Sequence, residues 1–273
     1  MRFDLIQSLS LAGDAATPND DRMGSGDCLA WVIDGATDLG PPGLLGPRGG
    51  AAWLAIEADA AFAAAGDAPV AQVCAAAFAR IAQRYEAQRT RIPLGRWELP
   101  RASFLIARAG EDTVDYGWLG DCVGLLRSGG EVVRIGEPID RRDRETAHAA
   151  SLAEHGLGDK PRAGPVLDSL RAARDRSENH VLGVEAAAHA VRTGSVTAVA
   201  GDDLLLMTDG VSVLTDAYAA LDAAAMMTLL DQGGLLAIAA RLRTIEAEDA
   251  ACTRYPRFKR SDDATAIWLR VAD

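Results

Sequence analysis

"DLLLMTDG", residues 203–210, carries four apolar residues and a threonine straight into an aspartate followed by glycine. An apolar run this short, ended by a turn signal, reads as a buried strand. The same outline returns in "LAWVIDG", residues 29–35. One Asp-Gly after such a run is ordinarily a turn. Two buried strands that both end on a carboxylate suggest that the carboxylate itself has a use.

Around these two strands the chain alternates its patterns in blocks. Residues 2–9 read as a further strand, and the acidic, glycine-containing loop "GDAATPNDDRMGSGD" (13–27) separates it from the strand at 28–34. Past the turn-rich "DGATDLGPPGLLGPRGG" (34–50), Trp53, Ile56, Ala60 and Ala63 recur at helical spacing. A second stripe, Val70, Cys74, Phe78, Ile81 and Tyr85, follows a break near Gly66 and Pro69. Residues 102–135 change to period two: Val114, Tyr116 and Trp118 share one face while Thr113, Asp115 and Gly117 share the other. Turns at "AGED" and "SGG" make this block a β-meander of sequential antiparallel strands. Residues 137–180, rich in Arg, Asp, Glu and His, read as surface helix and loop. A strand at 203–208, an apolar helical segment over 217–246 and the strand "ATAIWLRV" (264–271) complete the chain.

This order lacks the regular βαβα alternation of a parallel sheet. It predicts an α+β layered fold with mainly antiparallel sheet, built as one domain over residues 1–273. The 28 Lys and Arg stand against 39 Asp and Glu, a formal charge of −11, which repels nucleic acid and anionic lipid. Asp4 interrupts the N-terminal segment where a secretory signal needs an apolar run, and no stretch of 18 apolar residues is free of charge. Cys28, Cys74, Cys122 and Cys252 form no CxxC pair and read as reduced core residues. Together these features predict a cytoplasmic protein with no nucleic-acid or membrane partner.

The acidic residues at strand ends, or in glycine-containing loops beside them, are Asp20, Asp21, Asp34, Asp121, Asp209, Asp262 and Asp263. If antiparallel strands bring those ends to one rim, the carboxylates converge and need cations to stay ionised together. With no His or Cys in the set, the donors are oxygens, which suit magnesium or manganese rather than zinc. Gly35 and Gly210 allow a sharp turn off the strand and the approach of a backbone carbonyl to a cation. Two ions roughly 3.5–4 Å apart then share, acidify and aim a water at phosphorus.

"NDDR" (19–22), "LAWVIDGATD" (29–38), "YGWLGDCVGLLRSGGEV" (116–132), "DLLLMTDGVSVLTD" (203–216) and "SDDATAIWLRV" (261–271) stand in the order of the motifs of the type 2C protein serine/threonine phosphatases. The chain resembles a divergent, bacterial-type member of that metal-dependent family over nearly its whole length. The resemblance implies a four-layer α-β-β-α sandwich, with two central antiparallel sheets flanked by helices and a two-ion manganese or magnesium centre at one edge. It implies that Asp34 bridges both ions, that the Gly35 carbonyl binds one, and that Asp209 and Asp262 hold the other. Asp20 takes the place of the family's glutamate, Asp21 supports the ligands from behind, and Asp121 matches a third metal position. The implied activity is hydrolysis of phosphoserine or phosphothreonine in proteins by a monomeric enzyme, with Asp34 and Asp209 as its catalytic carboxylates. Such enzymes often oppose a kinase.

The departures concern the substrate. The arginine that grips phosphate in the family falls at Ala16, so Arg22 or the basic run "TRYPRFKR" (253–260) is left to replace it. Ala36 stands where some relatives carry a histidine, "RAS" (101–103) replaces a Gly-Ser/Thr-Thr run, and "GDC" (120–122) replaces Gly-Asp-Ser. These changes motivate an alternative: a phosphatase-like signalling or binding module without turnover. An aspartyl phosphotransferase would need a second Asp two residues after Asp34, where Ala36 stands. No Gly-x-Ser-x-Gly surrounds Ser10, Ser25 or Ser212. His148, His155, His180 and His189 lack metal-ligand spacing and are expected in surface or structural roles, while "ENHVLG" (178–183) falls near the site by analogy with relatives.

Overall fold

The computed structural model describes residues 1–139, 142–158, 164–176, 180–185 and 190–273. The first part of the chain forms β1 (Arg2–Leu11), β2 (Arg22–Ser25), β3 (Leu29–Gly35), α1 (Gly50–Ala63) and α2 (Val70–Gln88). Next come β4 (Arg101–Ala109), β5 (Thr113–Leu119), β6 (Val123–Ser128), β7 (Glu131–Gly136), α3 (Arg142–Ser151) and α4 (Gly164–Asp175). The last part holds β8 (Leu182–Gly183), β9 (Arg192–Thr197), β10 (Asp203–Met207), α5 (Asp209–Ser212), α6 (Ala223–Glu248) and β11 (Ala264–Ala272).

Two antiparallel sheets stack face to face, one ordered β1-β11-β10-β6-β7 and the other β2-β3-β4-β5-β9, with β8 paired to the start of β4. The period of two explains why β3 and β10 read as unbroken apolar runs. Leu29, Trp31 and Ile33 of β3 pack on α1 and α2, while Ala30 and Val32 pack between the sheets. Leu205 and Met207 of β10 pack under α6, while Leu204 and Leu206 face the opposite sheet. Both faces of each strand are covered, so no position asks for a polar residue. The result is the expected sandwich: α1 and α2, one sheet, the second sheet, then α6.

The apparent meander divides between the sheets. β4 pairs with β5 in one sheet and β6 pairs with β7 in the other, so the chain crosses over at Gly120–Cys122 instead of pairing β5 with β6. This crossing carries Asp121 to the edge where the sheets meet. Three strands were not anticipated: β2 lies inside the acidic loop, β8 is a two-residue pairing at Leu182–Gly183, and β9 is a half-buried edge strand, "RTGSVT", with only one large apolar residue. α6 is long and apolar enough, at a mean hydropathy of 1.4, to match a membrane span by composition. Its Met226, Met227, Leu230, Ile238 and Leu242 instead cover the sheet, and a kink at Gly234 lets the Leu235 N–H donate to Gln7 Oε1 at 2.8 Å. Cys74, Cys122 and Cys252 are buried and Cys28 partly so, all as free thiols. His148 Nε2 lies 2.8 Å from Ser169 Oγ and ties α3 to α4, a structural role as expected. His189 lies outside the described residues.

Candidate metal centre

Register brings the acidic strand ends together. Met207 of β10 is paired with Ala266 of β11 on one side and Val123 of β6 on the other, so the end of β10 is level with the starts of β6 and β11. Asp209 follows β10, Asp262 and Asp263 precede β11, and Asp121 precedes β6, all at this edge. In the facing sheet Ile33 is paired with Arg22, which places Asp20 and Asp21 beside the end of β3. Asp34 continues the face of Ala30 and Val32 that looks between the sheets. One carboxylate oxygen from each of Asp34, Asp121 and Asp209 lies within 4.8 Å of the others.

The electrostatics are those of crowded anions. Burial first, and then Asp209, Asp21, Asp121 and Asp262, push the Asp34 carboxyl well above the usual carboxylate range. Asp21, 2% exposed, is raised by burial and then by Asp262, against a hydrogen bond of 2.9 Å from Thr208 Oγ1. Asp20 is pushed up to about 6 by burial, Asp263 and Asp38. Asp263 ties the rim together, accepting from the N–H groups of Gly13 and Asp20 at 2.8 Å each. Asp38, from the same motif as Asp34, accepts from Gly50 N at 2.6 Å and Ala51 N at 3.1 Å at the start of α1. An all-oxygen donor set in which the neighbouring carboxylates oppose ionisation of Asp34 fits a hard divalent cation, which removes that repulsion.

Gly35 and Gly210 serve close approach rather than the sharp turn expected of them, since neither has positive φ. A Cβ on Gly35 would lie 2.7 Å from the Asp20 carbonyl oxygen, and one on Gly210 only 1.8 Å from that of Asp263. Each glycine therefore lets one acidic segment press on another. Gly210→Ala is expected to separate them, costing about 1–3 kcal/mol by overpacking and lowering the melting temperature by several degrees; an unchanged melting curve would contradict this packing.

A cavity of about 350 Å³ opens onto the cluster, lined by Asp34, Gly35, Asp121, Asp209 and Asp262. Helix α4 forms one wall, a contribution its sequence did not announce. Arg171 donates to the Leu39 carbonyl through Nε (3.0 Å) and Nη2 (2.7 Å), and Arg174 Nη2 donates to that of Thr37 (2.7 Å), fixing the loop after Asp34. The segment after α6 forms another wall. Against the effect of burial, the amides of Arg254, Tyr255 and Thr253 with Arg257 Nη1 hold the Asp249 carboxyl down at about 2. This loop turns Phe258 and Lys259 into the cavity, and Lys259 Nζ sits 2.5 Å from Asp262 Oδ1. Ala16 is exposed in the 13–20 loop. Arg22 lies behind the acidic pair, its Nη1 donating to the carbonyls of Asn19 and Asp21, and does not line the cavity. The His180 carbonyl accepts from Gly120 N at 2.9 Å, which puts this end of "ENHVLG" next to Asp121; positions 178 and 179 lie outside the described residues.

The sequence profile of the family described as protein phosphatase 2C matches residues 14–243, most of the chain, including Asp20, Asp21, Asp34, Asp121 and Asp209 but ending before Asp262. The chain belongs to the protein phosphatase 2C family. No curated protein matches it. Solved structures of serine/threonine phosphatases match it over 97–100% of its length. The serine/threonine phosphatase PstP/Ppp of Mycobacterium tuberculosis is 17% identical with a TM-score of 0.58, and 100% of each chain is covered. The PstP catalytic domain in complex with two manganese ions is 19% identical, with a TM-score of 0.56 over 100% of this chain and 98% of that one. MsPP from Mycobacterium smegmatis, in complex with cacodylate, is 15% identical, with a TM-score of 0.54 over 97% of each chain. At these identities the likeness is one of fold.

Proposed function

We propose that this protein hydrolyses phosphoserine and phosphothreonine esters in proteins, using two manganese or magnesium ions held by the strand-end carboxylates. The observation that carries this reading is the convergence of Asp34, Asp121 and Asp209 to within 4.8 Å at the floor of an open cavity. In this proposal Asp34 is shared between the ions, the Gly35 carbonyl and Asp20 complete one site, and Asp209 and Asp262 complete the other. Asp121 serves a third, weaker position. Such ions, when bound, acidify water and neutralise phosphate oxygens. The chain's part is to fix the ligands. Asp34 lies at the end of a strand buried on both faces, and Asp209 starts a helical turn whose Val211 and Leu214 are buried, so the backbone under each carboxylate is fixed. Asp21, bonded to Thr208, stands behind the ligands and holds negative charge or a proton as the ions come and go.

The substrates in this reading are phosphorylated proteins made by a serine/threonine kinase, met by a cytoplasmic monomer. The test is hydrolysis of a phosphothreonine peptide. Turnover should require Mn²⁺ or Mg²⁺, stop on chelation and return when metal is restored. Ala16, exposed and uncharged where the family carries its phosphate-gripping arginine, favours the second reading, a binding module without turnover. Stoichiometric capture of the phosphopeptide with no release of phosphate would decide for it.

A further inference from the structure

We propose that Lys259 is the cation that grips the phosphoryl group in this site, in the role left open at Ala16; the assignment rests on the phosphate-ester reading above.

The cavity over the carboxylates is also lined by four cationic residues among those described: Arg174, Arg176, Arg257 and Lys259. Arg257 is committed to its own loop, with Nε on the Arg260 carbonyl, Nη1 on Asp249 and Nη2 on the Asp249 carbonyl. Arg174 donates to the Thr37 carbonyl, which braces the loop after Asp34. Arg176 is exposed at the outer rim. Lys259 reaches the carboxylates of the cluster, bonding Asp262 Oδ1 and feeling the charges of Asp34 and Asp209. That bond uses one of the three donors of an ammonium group, leaving two for a ligand in the cavity.

Its placement is built. Asp249 gathers three successive backbone N–H groups and Arg257, and Cys252 Sγ approaches the Lys259 carbonyl at 3.9 Å, so the backbone that carries the lysine is fixed before any ligand arrives. The side chain is only 21% exposed, which removes most of the water that would screen its charge. A phosphate monoester dianion drawn to the cations of the centre would lie beside this ammonium. A point charge on a flexible stem suits that task, as lysines in other phosphate sites do.

The experiment measures inorganic phosphate binding by calorimetry to the Mn²⁺-loaded protein, comparing wild type, Lys259→Met and Lys259→Arg. Mn²⁺ affinity, melting temperature and aryl phosphate kinetics are measured on the same samples. Loss of one charge-assisted contact should weaken phosphate binding about 10- to 100-fold in Lys259→Met. KM should rise by a similar factor and more than kcat falls, Mn²⁺ affinity should not drop, and Lys259→Arg should recover most of the loss. Wild-type phosphate affinity in Lys259→Met, no phosphate binding by the wild type, or a fall in Mn²⁺ affinity matching that for phosphate would each overturn the assignment. If phosphate binding follows Lys259 while no variant turns over substrate, the lysine assignment stands and the phosphatase reading falls. If substrate is turned over while phosphate binding is unchanged in Lys259→Met, the phosphatase reading stands and the lysine assignment falls.

Discussion

Asp34→Asn is expected to lower kcat/KM for a phosphopeptide by more than about 100-fold, since even residues that only support a metal ligand cost about 10- to 100-fold when lost. Asn keeps the shape of the side chain and one carbonyl oxygen, so the strand and its pairing with Ser103 should persist. What disappears is a negative charge at the centre of the cluster, where Asp209, Asp21, Asp121 and Asp262 all act on the same carboxyl. If Asp34 is shared between two ions as proposed, its loss would weaken the binding of both at once. The loss should therefore appear in metal affinity as well as in turnover, and excess Mn²⁺ should restore only part of it. Asp209→Asn should show the same direction with one ion site affected. Full activity in Asp34→Asn would remove the proposed centre.

The second large effect is on stability, and it depends on pH. For Asp20 the native carboxyl titrates near 6, above the ordinary 3.8, so the folded state holds a proton that the unfolded chain has released. Stability from this group is fully present below about pH 4 and is lost as pH rises through 6. Asp21 and Asp34 are shifted in the same direction, by burial first and neighbouring carboxylates next. Metal-free protein should thus lose stability from pH 4 towards neutrality, a slope that Asp34→Asn should flatten. Mn²⁺ at 100 times its Kd adds about 2.7 kcal/mol per ion, or roughly 5–10 °C in melting temperature for a domain of this size. Differential scanning calorimetry at pH 4, 5, 6 and 7, with and without Mn²⁺, checks both signs. A metal-free protein that grows more stable across this window, with no gain from metal, would contradict the cluster's electrostatics.

The parts of the fold legible in the sequence are those where burial is complete. β3 and β10 stood out because both faces are covered, and α2 because its Val70, Cys74, Phe78, Ile81 and Tyr85 form one buried stripe. β9 was not legible, since an edge strand of alternating half-exposed Arg, Gly, Ser and Thr carries no apolar pattern. The division of β4–β7 between two sheets was hidden for a different reason. Period two tells which side chains share a face but not which neighbour a strand takes, and the pairing of β6 with β10 and of β5 with β9 settles that.

The site divides in the same way. Its aspartates could be read because a carboxylate at the end of an apolar strand is locally anomalous. The wall made by α4 could not, because Arg171 and Arg174 act on backbone carbonyls of Leu39 and Thr37, and a carbonyl has no letter in the sequence. "TRYPRFKR" offered four cations with nothing to rank them. Asp249, lying outside that run, turns Arg257 and Lys259 inward and leaves Arg254 and Arg260 exposed.

The central claim, that strand ends from both sheets build one divalent-cation centre, is tested most directly by anomalous diffraction from crystals grown with Mn²⁺. Manganese peaks are expected between Asp34 and Asp209, with oxygen ligands from Asp34, Asp209 and Asp262, and their loss in Asp34→Asn. Well-ordered carboxylates at this edge without a manganese peak, at Mn²⁺ concentrations that support full turnover, would contradict it.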